Sequence, residues 1–187
     1  MSQLIRNFIV FSAVFSLFVL LTPQSAMAAD AAQIDREART SLEALYASSE
    51  AAKGLAVDAK GILVFTDVIK AGLIIGAQYG DGALLQNGKT IGYYNTVAAS
   101  YGLQAGAQSF GYALFFMTEK DLSFLTSSSG WEIGVGPNIV VVEAGAATAF
   151  TTTTARDNVY AFFFDQKGLM AGLGLQGSKI TKINPDK

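Results

Sequence analysis

The period of the apolar positions changes along the chain, and each change predicts a different element. Phe8 to Leu21 carries no charge, and its only polar residues are Ser12 and Ser16. From Ala31 to Lys53 the spacing becomes helical. Ile34, Ala38, Leu42, Leu45 and Ser49 fall on one stripe, with Asp35, Arg36, Arg39, Glu43 and Glu50 around the other face. This pattern predicts one long helix over Ala31–Lys53, with Gly54 as its C-cap. From Gly61 onward the chain turns to short apolar runs rich in β-branched and aromatic residues, punctuated by Gly.

About ten short strands are predicted from those runs. The first are Ile62–Ile69, Leu73–Tyr79, Ala83–Gln86 and Lys89–Tyr94. Asn87-Gly88 between the last two is a hairpin signal, because both central positions of a type I′ turn need positive φ. Tyr101–Ser109 and Tyr112–Met117 follow, then Trp131–Val135, Ile139–Glu143, Thr148–Thr154 and Val159–Asp165. Gln166-Lys167-Gly168 is a predicted turn, and Leu169–Gln176 and Lys179–Ile183 close the series. One short helix interrupts them at Thr118, where Thr118 and Asp121 have capping-box spacing and Leu122 and Leu125 would face inward. The predicted fold class is α+β, mainly antiparallel β. An N-terminal helix packs on a Gly-rich curved sheet, sandwich or barrel-like.

The leading run has the parts of a secretory signal peptide. Arg6 is positive, the apolar stretch is 14 residues long, Pro23 breaks it, and Ala26-Met27-Ala28 supplies the small-x-small cleavage pattern. A membrane-spanning helix needs about 20 residues. Residues 1–28 are therefore expected to be a signal and 29–187 a single domain. The protein is expected to be exported, periplasmic or secreted after cleavage near Ala28.

Composition narrows the chemistry. Only 15% of residues are charged, against about 25% in an average domain, which suits a heavily buried sheet. Without Arg6, twelve cations face fifteen carboxylates, so no basic footprint for nucleic acid is present. The chain has no Cys and no His. Disulfides, thiol chemistry, His-based nucleophile activation and His/Cys metal sites are thereby excluded. Gly172-Leu173-Gly174-Leu175-Gln176-Gly177 spells a dinucleotide fingerprint, but from Ser178 onward the pattern is not the helix that it must open, and no acidic residue stands about 20 positions on. Glu132 and Glu143 are the best carboxylate pair for a hydrolase, with nothing in the sequence to bring them together. No catalytic residue, cofactor or metal is assigned.

Several stretches together resemble a known family. They are Ala59-Lys60-Gly61-Ile62-Leu63-Val64-Phe65, Lys70-Ala71-Gly72 and Gly76-Ala77-Gln78-Tyr79-Gly80, then Gly102 to Ser109, Gly134-Val135-Gly136-Pro137, and Val159 to Phe162 running into Gln166 to Gly172. In combination they resemble a SYLF domain, the lipid-binding and actin-binding family, over nearly all of the chain after the leader. Thr66 stands where many relatives have Pro. The resemblance implies a non-enzymatic domain that contacts membrane lipid, and export separates it from actin. The expected partner is an anionic membrane lipid of the phospholipid or phosphoinositide type, met peripherally; no protein partner is named. The expected lipid-binding cations are Lys53, Lys60, Lys70, Lys167, Lys179 and Lys182. A small outer-membrane or structural β-barrel and an exported carboxylate hydrolase are the alternatives.

Overall fold

Asp30 starts the first helix by accepting the Gln33 backbone N–H at 2.6 Å on its Oδ1. In this computed structural model the described residues are 30–72, 75–101, 106–127, 130–142, 159–168, 175 and 177–185. The expected leader, the Thr148–Thr154 strand, Glu143 and almost all of Leu169–Gln176 lie outside them.

Helix α1 spans Ala31–Ser48 and buries Ile34, Ala38, Leu42 and Leu45, the expected stripe. The single helix expected over Ala31–Lys53 is in fact two. Ser49 adopts an extended conformation (φ −135°, ψ 104°), and α2 runs over Glu50–Asp58. The Ser49 hydroxyl accepts the Ala52 N–H at 3.2 Å. A Ser that caps a new helix satisfies donors that it could not serve from a helix interior. Gly54 accordingly sits inside α2 rather than at a C-cap.

Among the described residues eight strands follow: β1 Gly61–Gly72, β2 Ile75–Gln86, β3 Lys89–Tyr101, β4 Gly106–Phe116, β5 Trp131–Glu132, β6 Ile139–Val142, β7 Val159–Gly168 and β8 Lys179–Ile183. Helix α3, Glu119–Thr126, lies between β4 and β5; Thr118 Oγ1 caps it by accepting the Asp121 N–H at 3.0 Å. The strands form one curled half-barrel sheet in the order β5-β8-β3-β2-β1-β4-β7-β6. All pairs are antiparallel except β6 with β7. Among the described residues the sheet ends at β5 and β6, so it is open, whereas a membrane barrel must close on itself. No helix among the described residues is long and apolar enough to cross a membrane.

The strands are longer than the sequence suggests, because Gly does not end them here. The two strands expected here, from Ile75 on, join through Gly80-Asp81-Gly82 into β2. A Cβ on Gly82 would collide with the Val64 carbonyl oxygen and the Phe65 ring, so glycine permits a close approach within a continuous strand. The expected turn at Gln166-Lys167-Gly168 is also strand. The chain there bulges instead at Asp165 (φ 51°).

Both faces of the lower sheet are buried. Val64, Ala83, Phe115 and Phe162 meet Leu42, Leu45 and Leu55 of the helices on one side. On the other, Phe65, Tyr112, Phe116 and Trp131 pack with Leu122, Leu125 and Ile180. The rings of Phe65 and Tyr112 stand 4.8 Å apart. Each fully buried large side chain contributes about 1.5–3 kcal/mol, and two buried faces leave little room for charge.

Candidate functional site

The site is created where the helical layer stops short of the sheet. Along β2 the positions Leu85, Ala83, Asp81, Tyr79, Ala77 and Ile75 alternate onto one face. Ala83 and Leu85 lie under the helices, yet Tyr79, Ala77 and Ile75 are exposed. In β1 the pairing shifts between Phe65, opposite Gly82, and Ile69, opposite Tyr79. This bulge turns Ile69 and Ala71 to the same open face.

The register builds a row across six strands on that face. Its members are Lys179, Val97, Tyr79, Ile69, Ser109 and Lys167, each opposite the next. Val97 is 45% exposed, Tyr79 51% and Ile69 54%. Beyond it lies a second row of exposed alanines, Ala99, Ala77, Ala71 and Ala107, and then Ile75, which is 72% exposed. Lysines therefore flank an apolar strip at both ends. Five strand spacings of ~4.8 Å put them roughly 24 Å apart along the sheet.

Carboxylates lie close to this strip. The Tyr79 hydroxyl donates to Asp81 Oδ1 at 2.8 Å. Burial, and then the Asp81 carboxylate beside it, raise the Tyr79 pKa. Glu132 of β5 stands opposite Lys179 in register. At the Lys167 end, a cavity of about 630 Å³ opens between α1 and the bulged parts of β1 and β7. Arg36, Glu37, Asp67, Asp165 and Lys167 line it. Glu37 accepts a hydrogen bond from Gln33 at 2.9 Å. Arg36, Asp67, Asp165 and Lys167 form no ion pair among the described residues, where Arg39 pairs with Asp35.

Of the six lysines expected to bind lipid, the register sets two on one row. Lys167 and Lys179 share the row, at its two ends. Lys70 is half-buried on the opposite face, between Gln78 and Gln108 in register. Lys182 stands opposite Tyr94, also on that other face. Lys53 is exposed on α2. Lys60 precedes β1 at the far end of the sheet, its backbone N–H bonded to the Phe116 carbonyl at 2.8 Å. Reading the sequence for charge missed Ile69, Ile75, Tyr79 and Val97. The alternation of Ile75, Ala77 and Tyr79 with Gly76, Gln78 and Gly80 is visible in the chain, but only the end of the helical layer shows which side stays open.

Among the described residues the candidate carboxylate pair is not brought together. Glu132 is exposed on an edge strand of two residues, and its proposed partner Glu143 lies outside the described residues. Among the described residues no group of three or more acidic side chains converges as a metal site.

The family model described as Ysc84: Las17-binding protein actin regulator matches residues 97–185. Residues 97–185 thus match the Ysc84 (SYLF) family, the one that the sequence resembles. The match begins at Val97 in β3 and runs past β8, so it takes in Val97, Ser109, Lys167 and Lys179 of the row. Helix α1, β1 and β2 precede it and contribute Arg36, Ile69 and Tyr79. SYLF domains are binding domains linked to lipid and actin. No curated protein matches this chain.

Proposed function

We propose that this SYLF protein is an exported, non-catalytic domain that docks on a lipid surface with the open end of its sheet. The observation that carries this reading is the exposed apolar strip of Val97, Tyr79, Ile69 and Ile75 with a lysine at each end. An apolar face rimmed by cations matches the boundary between headgroups and acyl chains.

The magnitudes make this contact peripheral and reversible. A cation near an anionic bilayer contributes about 1 kcal/mol, so Lys167 and Lys179 supply at most ~2 kcal/mol. Asp81 and Glu132 subtract from that. Burying the exposed halves of Ile69 and Val97 and most of Ile75 adds roughly 3–4 kcal/mol. The sum, at most ~6 kcal/mol, corresponds to a dissociation constant from about 1 mM down to some tens of μM. Apolar burial thus leads, and the preference for anionic lipid is a smaller addition.

The test is co-sedimentation with vesicles of phosphatidylcholine, alone or mixed with phosphatidylglycerol, at low and high salt. Binding that is greater on the anionic vesicles and only partly lost in salt is expected. An Ile69→Ser, Val97→Ser double variant should bind several-fold more weakly. No pelleting with any vesicle would overturn the reading. The family description names an actin regulator. On the export reading, actin filaments in place of vesicles carry nothing down.

A further inference from the structure

The cavity at the Lys167 end of the strip holds charges of both signs, and their arrangement suggests its ligand. We infer that it receives a headgroup bearing a phosphate and a primary ammonium together, the phosphoethanolamine group of an aminophospholipid. This inference rests on the lipid-docking reading and adds the headgroup that the docked surface selects.

Three observations support the assignment. First, Arg36 and Lys167 bring two cations to the wall, and Asp67 and Asp165 bring two carboxylates, with Glu37 a third. None of the first four is neutralised by an ion pair among the described residues. A purely anionic ligand would leave the carboxylates facing a like charge, and a purely cationic one would do the same to Arg36 and Lys167. A zwitterion satisfies both sets, the phosphate on the guanidinium and ammonium, the ligand's amine on the carboxylates. The hydroxyls of Ser41 and Ser109 also line the cavity and supply donors to phosphate oxygens, while that of Thr40 is already given to the Arg36 carbonyl at 3.0 Å.

Second, the volume of about 630 Å³ falls within the ~300–1,000 Å³ typical of small-ligand clefts. Ser109 and Lys167 belong both to the cavity and to the exposed row, so a headgroup held here would lie beside the apolar strip. That continuity favours a lipid over a free zwitterion.

Third, the cavity can distinguish ethanolamine from choline. A quaternary ammonium has no N–H to donate and is held by aromatic faces. The aromatic residue at this cavity, Phe110, is 2% exposed, and its ring packs against Tyr112 and Phe163 in the core. Among the described residues no cage is open to choline here, whereas carboxylates accept directly from a primary ammonium.

The test titrates soluble glycerophosphoethanolamine into the isotope-labelled chain, with glycerophosphocholine, inorganic phosphate and glycine as separate arms. Amide shifts at Thr66, Asp67, Ser109 and Lys167 are expected for glycerophosphoethanolamine, and clearly smaller ones for the other three. An Asp67→Asn, Asp165→Asn variant should weaken that binding about tenfold, the factor to which ~1.4 kcal/mol corresponds. Asp67 and Asp165 are exposed, and Asn tolerates the positive φ at 165, so the fold is kept. Vesicles of phosphatidylcholine with phosphatidylethanolamine should bind the parent chain several-fold better than phosphatidylcholine alone, and the variant should lose that increment while its response to phosphatidylglycerol, relieved of two carboxylates, is kept or increased. Absence of shifts with glycerophosphoethanolamine overturns the inference, even if phosphatidylglycerol vesicles still bind and the docking reading stands. Equal shifts with glycine overturn the phospholipid source. Headgroup shifts without any vesicle binding would retain the cavity's ligand and remove the docking reading.

Discussion

Arg39 reaches 49 residues along the chain to Gly88, donating from Nη1 to its carbonyl oxygen at 2.8 Å. The same guanidinium holds Asp35 through Nε at 2.9 Å and Nη2 at 3.1 Å, and touches Thr90 Oγ1 at 3.0 Å. Thr90 in turn donates to the Asp35 carboxylate. One arginine on α1 thus ties the helical layer to the β2–β3 turn, where Asn87 and Gly88 both have positive φ.

Arg39→Met should therefore destabilise the fold by about 1–1.5 kcal/mol, since it keeps much of the stem's packing and loses the bonds of a partly exposed pair. The pH dependence has a definite sign. Hydrogen bonds from Arg39 and Thr90 hold the Asp35 pKa below the ordinary carboxylate value. That contribution is present above the unfolded pKa of about 4 and is lost as pH falls through the lower folded value. Urea melts at neutral pH should separate the parent from Arg39→Met, and melts near pH 2 should bring them together. An undiminished gap in acid would show that packing, not the ion pair, sets the difference.

The glycines make opposite predictions by position. Gly82→Ala forces a methyl into the Val64 carbonyl and the Phe65 ring, so it should cost about 1–3 kcal/mol or prevent folding. Gly54 lies inside α2, and a methyl group there would meet nothing within 4 Å, so Gly54→Ala should raise stability by up to ~1 kcal/mol. Thermal or urea midpoints of the two variants decide it. A stabilised Gly82→Ala would mean that β1 and β2 can separate without cost.

These two residues also show what the sequence could convey. The helical stripe of Ile34, Ala38, Leu42 and Leu45, the Asn87-Gly88 turn, the Thr118 cap and the Lys179–Ile183 strand were all legible, because each depends on local spacing or turn chemistry. Gly54 and Gly82 were misread because local pattern gives the residue's freedom and not its neighbours. Gly54 reads as a stop, yet the stop is Ser49. Gly82 reads as a break, yet it is the point of closest approach inside a strand. The site was less legible for the same reason. Lys167 and Lys179 are twelve positions apart in sequence, and five antiparallel pairings put them at the ends of one row. Bulges in β1 and β7, absent from any hydrophobic pattern, decide which face Ile69 and Lys167 occupy.

Alkaline conditions should unfold the protein through its buried phenols. Burial pushes the Tyr46 pKa up to about 12 and that of Tyr112 higher still. Their stabilising contribution is complete below the ordinary tyrosine pKa of about 10 and is lost as pH rises through the folded values. The Tyr112 hydroxyl approaches Thr96 without reaching hydrogen-bond geometry, and both oxygens are buried without a partner among the described residues. Tyr112→Phe should thus leave stability at neutral pH unchanged or raised by up to ~1 kcal/mol, and should flatten its fall above pH ~10. Melts from neutral pH to pH ~11 measure both effects; a loss of more than ~1 kcal/mol at neutral pH would show that the hydroxyl is bonded in solution.

Fluorescence can separate the docking strip from the core in a single pair of proteins. Trp131 is the chain's only tryptophan; it is 3% exposed, its ring lies 5.8 Å from that of Phe116, and its indole N–H donates to the Val135 carbonyl at 2.8 Å. It is already out of water, so vesicles should leave its emission unchanged. Tyr79 is 51% exposed in the middle of the strip, between Val97 and Ile69. A tryptophan placed there has the shape and amphipathic character suited to the headgroup boundary. Tyr79→Trp should therefore add a water-exposed emission that shifts to the blue on phosphatidylglycerol vesicles and is reached less readily by a soluble quencher. The parent protein, measured in parallel, should show neither change. A Tyr79→Trp variant that sediments with vesicles and keeps its emission unshifted would place the bilayer on another surface, because docking through this strip must remove position 79 from water.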